Sequence, residues 1–444
     1  MAVIAIPISL QSMITIGVNM TDTVMVGKLG ETSLSATALA NQFVNIYQIC
    51  CMGIAMGASV LTSRFWGMQD ITSLKKTITL MLRLCIVLAV LFMLPTILIP
   101  QLLMRMYTND SAVIAQGVQY FKWMVYCYFL QGMTMTCTIV LRSVGQVNFP
   151  LFTSIGSFFV NILFNYMFIF GKLGVPRMEV EGAGVGTLIA RVFEFSLICG
   201  YFLFVDRKIG YRLKDLRMKC NSLIKDYVSI SIPVFVSDSL LALGTSAVAM
   251  VMGRIGTGFV SANSITVVTQ QLTTVIIQGI CHASCIMTGH TLGHGEREKA
   301  QQQAWTFLIL GLVVGILGGG LIKVLSRPII GLYNITPETA QIAGELMDAI
   351  AFIVIFQSMN SILTKGVLRG GGDTKFLMVA DIIFLWAASL PLGILAGLVW
   401  HLDAFWIYVF LKIDQICKSI WCVFRLRSGK WIKTFSKEKM NHAQ

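Results

Sequence analysis

The amino-acid sequence predicts an all-α polytopic membrane protein with about twelve transmembrane helices in two pseudo-symmetric six-helix lobes around a central cavity. Of its 444 residues, 56% are hydrophobic and only 12% are charged, whereas soluble domains carry about 25% charged residues. The mean hydropathy is +0.76, and apolar runs long enough to cross a bilayer recur along the whole chain. These observations indicate that most of the chain lies in lipid, and an internal repeat indicates the two lobes.

The spans follow from hydropathy and length. A helix needs about 20 apolar residues to cross the hydrocarbon core. Windows of that kind lie at 2–27, 36–64, 78–104, 115–141, 150–171, 183–205, 227–252, 262–289, 303–325, 340–367, 376–399 and 403–424. The first window lacks the basic region and cleavage site of a signal peptide, so we expect it to be a span.

Basic residues are concentrated in only some of the connections. The formal net charge is +13, and the richest clusters lie at 206–226, between the sixth and seventh spans, and after the last span. Loops rich in Lys and Arg stay on the cytoplasmic side of a membrane. We therefore expect both termini and the 206–226 connection in the cytoplasm, the protein in the cell (inner or plasma) membrane, and no nucleic-acid partner.

The two halves of the chain repeat the same pattern. When residue 7 is placed over residue 233, identical residues meet at one constant offset of 226, as in Pro7 and Pro233, Gly27 and Gly253, Gly53 and Gly279, and Gly67 and Gly293. Six spans per repeat give both repeats the same orientation, which is typical of transporters that expose a cavity to each side in turn. The predicted parts are an N-terminal lobe at 1–205, a basic connecting loop at 206–226, a C-terminal lobe at 227–425 and a basic cytoplasmic tail at 426–444.

Several motifs extend this interpretation to a known family. In chain order they include "DTVMVGKLGETSLSATALA", "GASVLTSRFWG", "LRSVGQ", "FVNILFNYMFIFG", "GAGVGTLIARVFE" and "VLRGGGDTK". With these motifs the sequence resembles the multidrug and toxic compound extrusion (MATE) transporters over about residues 3–425. The resemblance implies export of organic, often cationic compounds in exchange for H⁺ or Na⁺, with no cofactor besides the coupling ion. We expect small organic molecules and the lipid bilayer as partners, and a functional monomer.

The resemblance also implies a cation site in the N-terminal lobe. Asp22 matches the family's first-helix aspartate, Asn161 matches an asparagine of the fifth span, and Thr187 matches a threonine of the sixth. Asn165 stands where the family usually has a second aspartate. The site therefore has one carboxylate fewer than the family pattern, which leaves both H⁺ and a Na⁺ ion held by Asp22, Asn161, Asn165 and Thr187 open.

Helix geometry places the same residues at one depth. Asn161 and Asn165 are four residues apart and share a helix face. At 1.5 Å per residue, Asp22, Asn165 and Thr187 each lie about 8–9 Å below the outer ends of their spans. A carboxylate in hydrocarbon costs several kcal/mol unless it is buried in protein, protonated or bound to a cation. Their common depth therefore predicts an ion site in the outer half of the first lobe.

Other polar residues within the spans are weaker candidates. Arg191 and Glu194 are three residues apart and form either a local ion pair or a charge relay to Asp22. Six further residues are candidates for lining the substrate cavity or for hydrogen bonds between helices: Gln42, Asn45, Asp238, Gln271, Gln278 and Asp381.

Two alternative functions are consistent with the predicted fold. A lipid-linked oligosaccharide flippase of the same superfamily would have similar helices, but such proteins tend to have additional spans or many basic residues lining the cavity. An intramembrane enzyme would need a nucleophile and base or metal ligands at helical spacing, and the sequence contains neither H-E-x-x-H nor G-x-S-x-G. We therefore expect a transporter and not an enzyme.

Overall fold

The computed structural model describes residues 1–172, 174–331 and 335–434, and these residues form helices joined by short connections. The helices are α1 Ala2–Gly27, α2 Glu31–Gly67, α3 Ile71–Leu98, α4 Pro100–Arg105, α5 Ser111–Ser143, α6 Asn148–Phe170, α7 Glu179–Gly200, α8 Asn221–Ile255, α9 Thr257–Gly293, α10 Arg297–Ile330, α11 Pro337–Ser361, α12 Thr374–Ile382, α13 Leu390–Ile394, α14 Ala404–Leu411 and α15 Ile413–Arg427. π-Helical turns at Tyr201–Val205, Ile362–Leu368, Ile383–Ser389 and Leu395–Val399 follow α7, α11, α12 and α13. No strand occurs within the described ranges, so the predicted all-α class is confirmed.

Eleven helical segments in the described part of the chain are long and apolar enough to cross a membrane. They correspond to the first eleven predicted spans. The twelfth, predicted at 403–424, forms two shorter helices instead. The helix is interrupted at Lys412, between α14 and α15. Asp414 and Lys418 in α15 interrupt the apolar run, which explains why this segment is less hydrophobic than the others.

The internal repeat is visible in the helix boundaries. Four helices of the first half begin 226 residues before their counterparts, at residues 31 and 257, 71 and 297, 111 and 337, and 148 and 374. Equivalent turns also share backbone geometry. Gly145 and Gly372 are 227 residues apart, because the second repeat has one extra residue between Gln357 and Leu368. They adopt φ angles of 79° and 85°, a region that is unfavourable for residues with a Cβ atom. The repeat therefore determines turns as well as helices.

The chain forms two compact units. The first unit is Leu10–Ser231, and the second combines Met1–Ser9 with Ile232–Gln444. The first two turns of α1 therefore pack with the second half of the chain. Ala5 lies in the same hydrophobic cluster as Ile277 and Ile280 of α9, and a Cβ atom on Gly279 would lie only 2.7 Å from the Ala5 carbonyl oxygen.

Aromatic packing fixes α2, α3 and α5 in the first unit. The ring of Tyr47 lies 5.0 Å from Tyr128 and 5.3 Å from Phe92, measured between centroids. The Tyr47 hydroxyl donates a hydrogen bond to the Tyr128 carbonyl oxygen, so its buried polar group is satisfied. These contacts hold α2 and α5, which contribute to the polar cavity of this unit.

The basic connection between the two halves is ordered. The Asp206 carboxylate accepts hydrogen bonds from the backbone of Ile209 at 3.0 Å and from the side chain of Gln146 at 2.9 Å. Tyr211 is buried and stacks on Phe202 with a centroid distance of 5.5 Å. A single 3₁₀ turn, Leu213–Arg217, precedes α8.

Polar contacts with α3 hold this connection against the first unit. The Lys75 ammonium lies 2.9 Å from the Asp215 carboxylate and donates to the Gly210 carbonyl at 2.6 Å. The hydroxyls of Thr79 and Tyr211 are 2.9 Å apart. The connection therefore belongs to the first unit and is not a free linker.

We expect Asp215→Asn to loosen the connection. Partial burial acts to raise the pKa of Asp215, but the Arg212 backbone N–H and the Lys75 ammonium outweigh it and hold the pKa below its usual value. The carboxylate's stabilising contribution is then complete above about pH 4 and is lost as the pH falls through the lowered value. Ion pairs of this kind contribute about 0.5–1 kcal/mol, so backbone hydrogen exchange over 207–220 should rise about two- to five-fold at neutral pH.

The exposed acid Glu31 provides the matched control. Glu31→Gln should leave exchange over 207–220 at the parent rate, and acidifying the parent below the lowered pKa of Asp215 should reproduce the Asp215→Asn pattern. Equal exchange in Asp215→Asn and parent at neutral pH would show that the Lys75–Asp215 pair does not hold the connection.

Candidate functional site

A polar cavity of about 320 Å³ lies within the first unit. Residues of α1, α2, α5, α6 and α7 line it. Its polar lining residues include Thr15, Asn19, Asp22, Asn41, Asn45, Gln48, Gln131, Asn161, Thr187, Arg191 and Glu194. Five helices that could each cross a membrane therefore enclose a site rich in amide, hydroxyl and charged groups.

Asp22 and the two asparagines of α6 are connected by one amide group. The Asn165 Nδ2 atom donates to Asp22 Oδ1 at 2.6 Å and to Asn161 Oδ1 at 3.2 Å. Asn161 and Asn165 are buried and lie one helical turn apart, so both side chains point to the same side of α6. The amide thus connects the carboxylate of α1 to the polar face of α6. Thr187 of α7 lines the same cavity, so the four residues predicted from sequence converge.

Small residues on α7 allow α6 to approach closely. A Cβ atom on Gly186 would overlap the Asn165 side-chain oxygen and would lie 2.9 Å from the Asn165 backbone nitrogen. One turn earlier, a Cβ atom on Gly182 would lie 2.6 Å from the Phe168 carbonyl oxygen. Glycines at such positions allow close packing of membrane helices. They therefore determine where Asn165 sits.

Arg191 and Glu194 form an ion pair on the cavity wall. The Arg191 Nη1 atom is 2.8 Å from Glu194 Oε2, and both residues line the cavity. The guanidinium also interacts electrostatically with Asp22. Because Glu194 balances Arg191, Asp22 is the cavity carboxylate without an ion-pair partner among the described lining residues.

The six candidate cavity residues are dispersed. Asn45 and Gln42 are both exposed residues of α2, and of the two only Asn45 lines the first-unit cavity. Gln271 and Gln278 on α9 are also exposed.

The two remaining candidates are acids paired with bases in the second unit. Asp238 lies 3.1 Å from Arg369, and Asp381 lies 3.0 Å from Lys418. Each of these acids therefore has a direct basic partner.

A family model described as MatE matches residues 7–167 and 233–416. The chain belongs to the MATE family. The two matched segments begin 226 residues apart, which is the offset of the internal repeat. MATE proteins are transporters, so the chain is a multi-pass membrane transporter and not an enzyme.

Individual relatives agree with this assignment. The uncharacterized transporter YisQ of Bacillus subtilis is 24% identical over 93% of this chain and 90% of its own length. The probable multidrug resistance protein NorM of Thermotoga maritima is 24% identical over 97% of this chain and 92% of its own length. The solved structure of the Vibrio cholerae MATE transporter VcmN in the bent form covers 96% of this chain and 95% of its own, with a TM-score of 0.86 at 16% identity. At that identity the likeness shows the fold.

Sequence reasoning missed part of this MATE cavity. Asn41 and Gln48 line it beside Asn45, and the Tyr120 hydroxyl donates to Asn41 Oδ1 at 3.2 Å. Residues 41, 45 and 48 follow the i, i+4, i+7 spacing of one helix face. A search for polar residues at helical spacing would therefore have found this face of α2.

Gly186→Ala tests whether close packing of α7 positions Asn165. The added methyl group has no space beside the Asn165 amide, so we expect a destabilisation of about 1–3 kcal/mol and loss of the Asn165–Asp22 hydrogen bond. Thermal unfolding in detergent measures the first effect, and transport the second.

Gly200→Ala is the matched control on the same helix. A Cβ atom on Gly200 meets no atom within 4 Å, so this variant should retain transport and match or exceed parent stability by about 0.5–1 kcal/mol. Parent-like stability and transport in Gly186→Ala would contradict the packing argument.

Proposed function

We propose that this MATE protein is a secondary antiporter that exports organic cations from the cell in exchange for H⁺. The observation that carries the proposal is Asp22, a carboxylate without an ion-pair partner in a polar cavity enclosed by membrane-spanning helices. The name of the T. maritima relative, a probable multidrug resistance protein, supports drugs as one substrate class. Alternating access of the cavity to the two sides of the membrane completes the proposed cycle.

Competition for one negative charge explains coupling. A carboxylate in a low-dielectric site is unfavourable when it is ionised and uncompensated. Either a proton or an organic cation neutralises Asp22, and each disfavours binding of the other by the same free energy. A proton that enters from outside therefore promotes release of the cation, which is the exchange that an exporter needs.

The polar contacts of Asp22 favour H⁺ over Na⁺. Na⁺, like other hard cations, takes oxygen ligands. Asn165 directs its N–H groups, and not its oxygen, at both Asp22 and Asn161. The Arg191 guanidinium nearby also disfavours a second fixed cation. A proton needs only one carboxylate oxygen, so it fits this arrangement with fewer changes.

The proposed orientation follows from the basic segments. Lys and Arg at 206–226 support a cytoplasmic location for this connection and for both termini of a plasma-membrane protein. We propose lobes at 1–205 and 227–425 and a functional monomer. Most of the predicted tail, residues 435–444, lies outside the described residues.

Asp22→Asn tests the role of the carboxylate. Asparagine keeps the shape and can still hydrogen-bond Asn165, but it cannot exchange a proton or attract a cation. We expect normal folding and efflux of a fluorescent organic cation from proteoliposomes at the rate of protein-free liposomes. The matched control, Glu31→Gln, changes an exposed acid of the same unit and should transport like the parent.

Separate gradients then identify the coupling ion. We expect a pH gradient to drive efflux by the parent and a Na⁺ gradient to have no effect. Parent-rate efflux by Asp22→Asn would rule out the proposed role of this residue. Efflux by the parent that responds to a Na⁺ gradient alone would show that the coupling ion is Na⁺ and not H⁺. Scrambling of labelled lipid with no response to either gradient would favour the flippase function.

Asn165→Asp probes the carboxylate that the site lacks. The new acid would lie within hydrogen-bond distance of Asp22, and two adjacent carboxylates cannot easily both ionise, so one proton should stay bound to higher pH. We expect the pH of half-maximal efflux to rise by about one unit or more. Gln131→Glu, on α5 of the same cavity wall, should shift it less. Identical pH profiles for Asn165→Asp and the parent would exclude a coupling site at this position.

A further inference from the structure

A second cluster of charged residues lies in the second unit, and none of its members lines the Asp22 cavity. The Lys418 ammonium of α15 lies 3.0 Å from Asp381 Oδ1 of α12 and 3.0 Å from Asp414 Oδ2, one turn earlier on α15. Lys418 and Asp414 are 2% and 1% exposed, and Asp381 is buried as well. Two carboxylates therefore share one ammonium among helices of a membrane protein.

Neutral polar groups also contact these carboxylates, but they do not give every buried oxygen a hydrogen bond. Asp381 also accepts a hydrogen bond from the Ser237 hydroxyl of α8. Asp414 Oδ2 accepts from Gln415 at 2.7 Å, and Gln415 in turn accepts from Asn360 of α11 at 2.8 Å. Asp414 Oδ1 and Asn360 Oδ1 are both buried, and neither has a hydrogen-bond donor. A buried oxygen without a donor is unfavourable, so Asp414 has one oxygen free to take a proton.

Other ionisable groups lie near the cluster, but Lys418 is the base that directly contacts both Asp381 and Asp414. Arg369 acts on Asp381 but is itself paired with Asp238 at 3.1 Å. Lys412 acts on Asp414 through its charge, whereas Lys418 is the base in ion-pair contact with it. The remaining ionisable neighbours, Tyr408, Cys417 and Cys422, come from α14 and α15.

The internal repeat relates this cluster to the Asp22 cavity. After one inserted residue the repeat offset is 227, because Gln146–Asp206 and Asp373–Lys433 are equivalent contacts at 2.9 and 3.3 Å. At this offset, Asp381, Asp414 and Lys418 correspond to residues that all line the cavity of the first unit, namely Ser154, Thr187 and Arg191. Asp22 itself, at the 226 offset of the first helices, corresponds to the buried apolar residue Val248. The second unit therefore carries these acids on α12 and α15, the counterparts of α6 and α7, whereas the acid of the first unit lies on α1.

We propose that Asp381, Asp414 and Lys418 form a second exchangeable-proton site, with the proton carried by Asp414 Oδ1. Among the groups in direct contact, one ammonium faces two buried carboxylates, which leaves one net negative charge that one added proton neutralises. A metal cation is disfavoured because Lys418 already occupies the position between the two acids and repels it. The proposal adds a site to the proposed antiporter and does not require Asp22 to carry a proton.

Infrared difference spectroscopy tests the site through the C=O stretching band of protonated carboxylic acids. The full-length protein in lipid is compared at neutral and mildly acidic pH, in an Asp22→Asn background that removes any signal from the first site. We expect one protonation band in this background. Both Asp414→Asn and Asp381→Asn should abolish it, because either change leaves one acid for one ammonium. Lys418→Met should give the band already at neutral pH, since two acids then lack their counter-charge.

Asp348→Asn is the matched control. Asp348 is a partly exposed acid of the same unit in one-to-one contact with Lys323, so this variant should keep the band. The proposal is overturned if the Asp22→Asn background shows no band, or if the band survives both Asp414→Asn and Asp381→Asn. If Asp414→Asn does not fold, Asp381→Asn still tests the proposal. Neither result depends on transport activity, because the background already carries Asp22→Asn.

Discussion

The hydrogen bond between Asp22 and Asn165 is the contact on which the first unit's site depends. A carboxylate within membrane-spanning helices costs several kcal/mol unless its surroundings compensate it. Here the compensation comes from the Asn165 amide 2.6 Å away and from the charge of the Arg191 guanidinium. That distance requires α1 and α6 to be correctly placed. It also requires Gly186 of α7, because a side chain there would overlap the Asn165 amide. One polar contact thus constrains the packing of three helices. It leaves the carboxylate without an ion-pair partner among the described cavity-lining residues, as the proposed exchange requires.

The two repeats compensate buried charged side chains with different kinds of partner. Arg142 and Arg369 occupy equivalent positions one repeat apart, yet Arg142 donates to the neutral side chain of Gln11 whereas Arg369 pairs with Asp238. The first unit therefore keeps one carboxylate, Asp22, hydrogen-bonded to a neutral amide and without an ion-pair partner among the described cavity-lining residues. The second unit joins its acids to bases, and removing one member of such a buried pair is strongly destabilising. Divergence of the two repeats has redistributed charge while the helix boundaries stayed in register.

Features that depend on the spacing of residues along the chain can be predicted from the sequence. Span length, the offset of 226 and the common depth of Asp22 and Asn165 depend on spacing along the chain, and spacing is visible without coordinates. The pairing of Arg369 with Asp238 joins residues 131 apart, which no local pattern indicates. Lys418 and Asp414 escaped prediction for a related reason. Charges four residues apart near a basic helix end are typical of a solvated surface, and only packing against α12 shows that they are buried.

The number of acids at the first site affects what a membrane potential can do. With Asn165 in place of an acid, Asp22 offers one negative charge. The proposed exchange of one proton for one singly charged organic cation would therefore move no net charge across the membrane. A potential of 100 mV contributes about 2.3 kcal/mol for each charge moved, and exchange at this site alone cannot use it. A second proton carried in the same cycle would move one net positive charge inward and make that energy available to export. A proton site in the second unit therefore matters energetically even where it contacts no substrate.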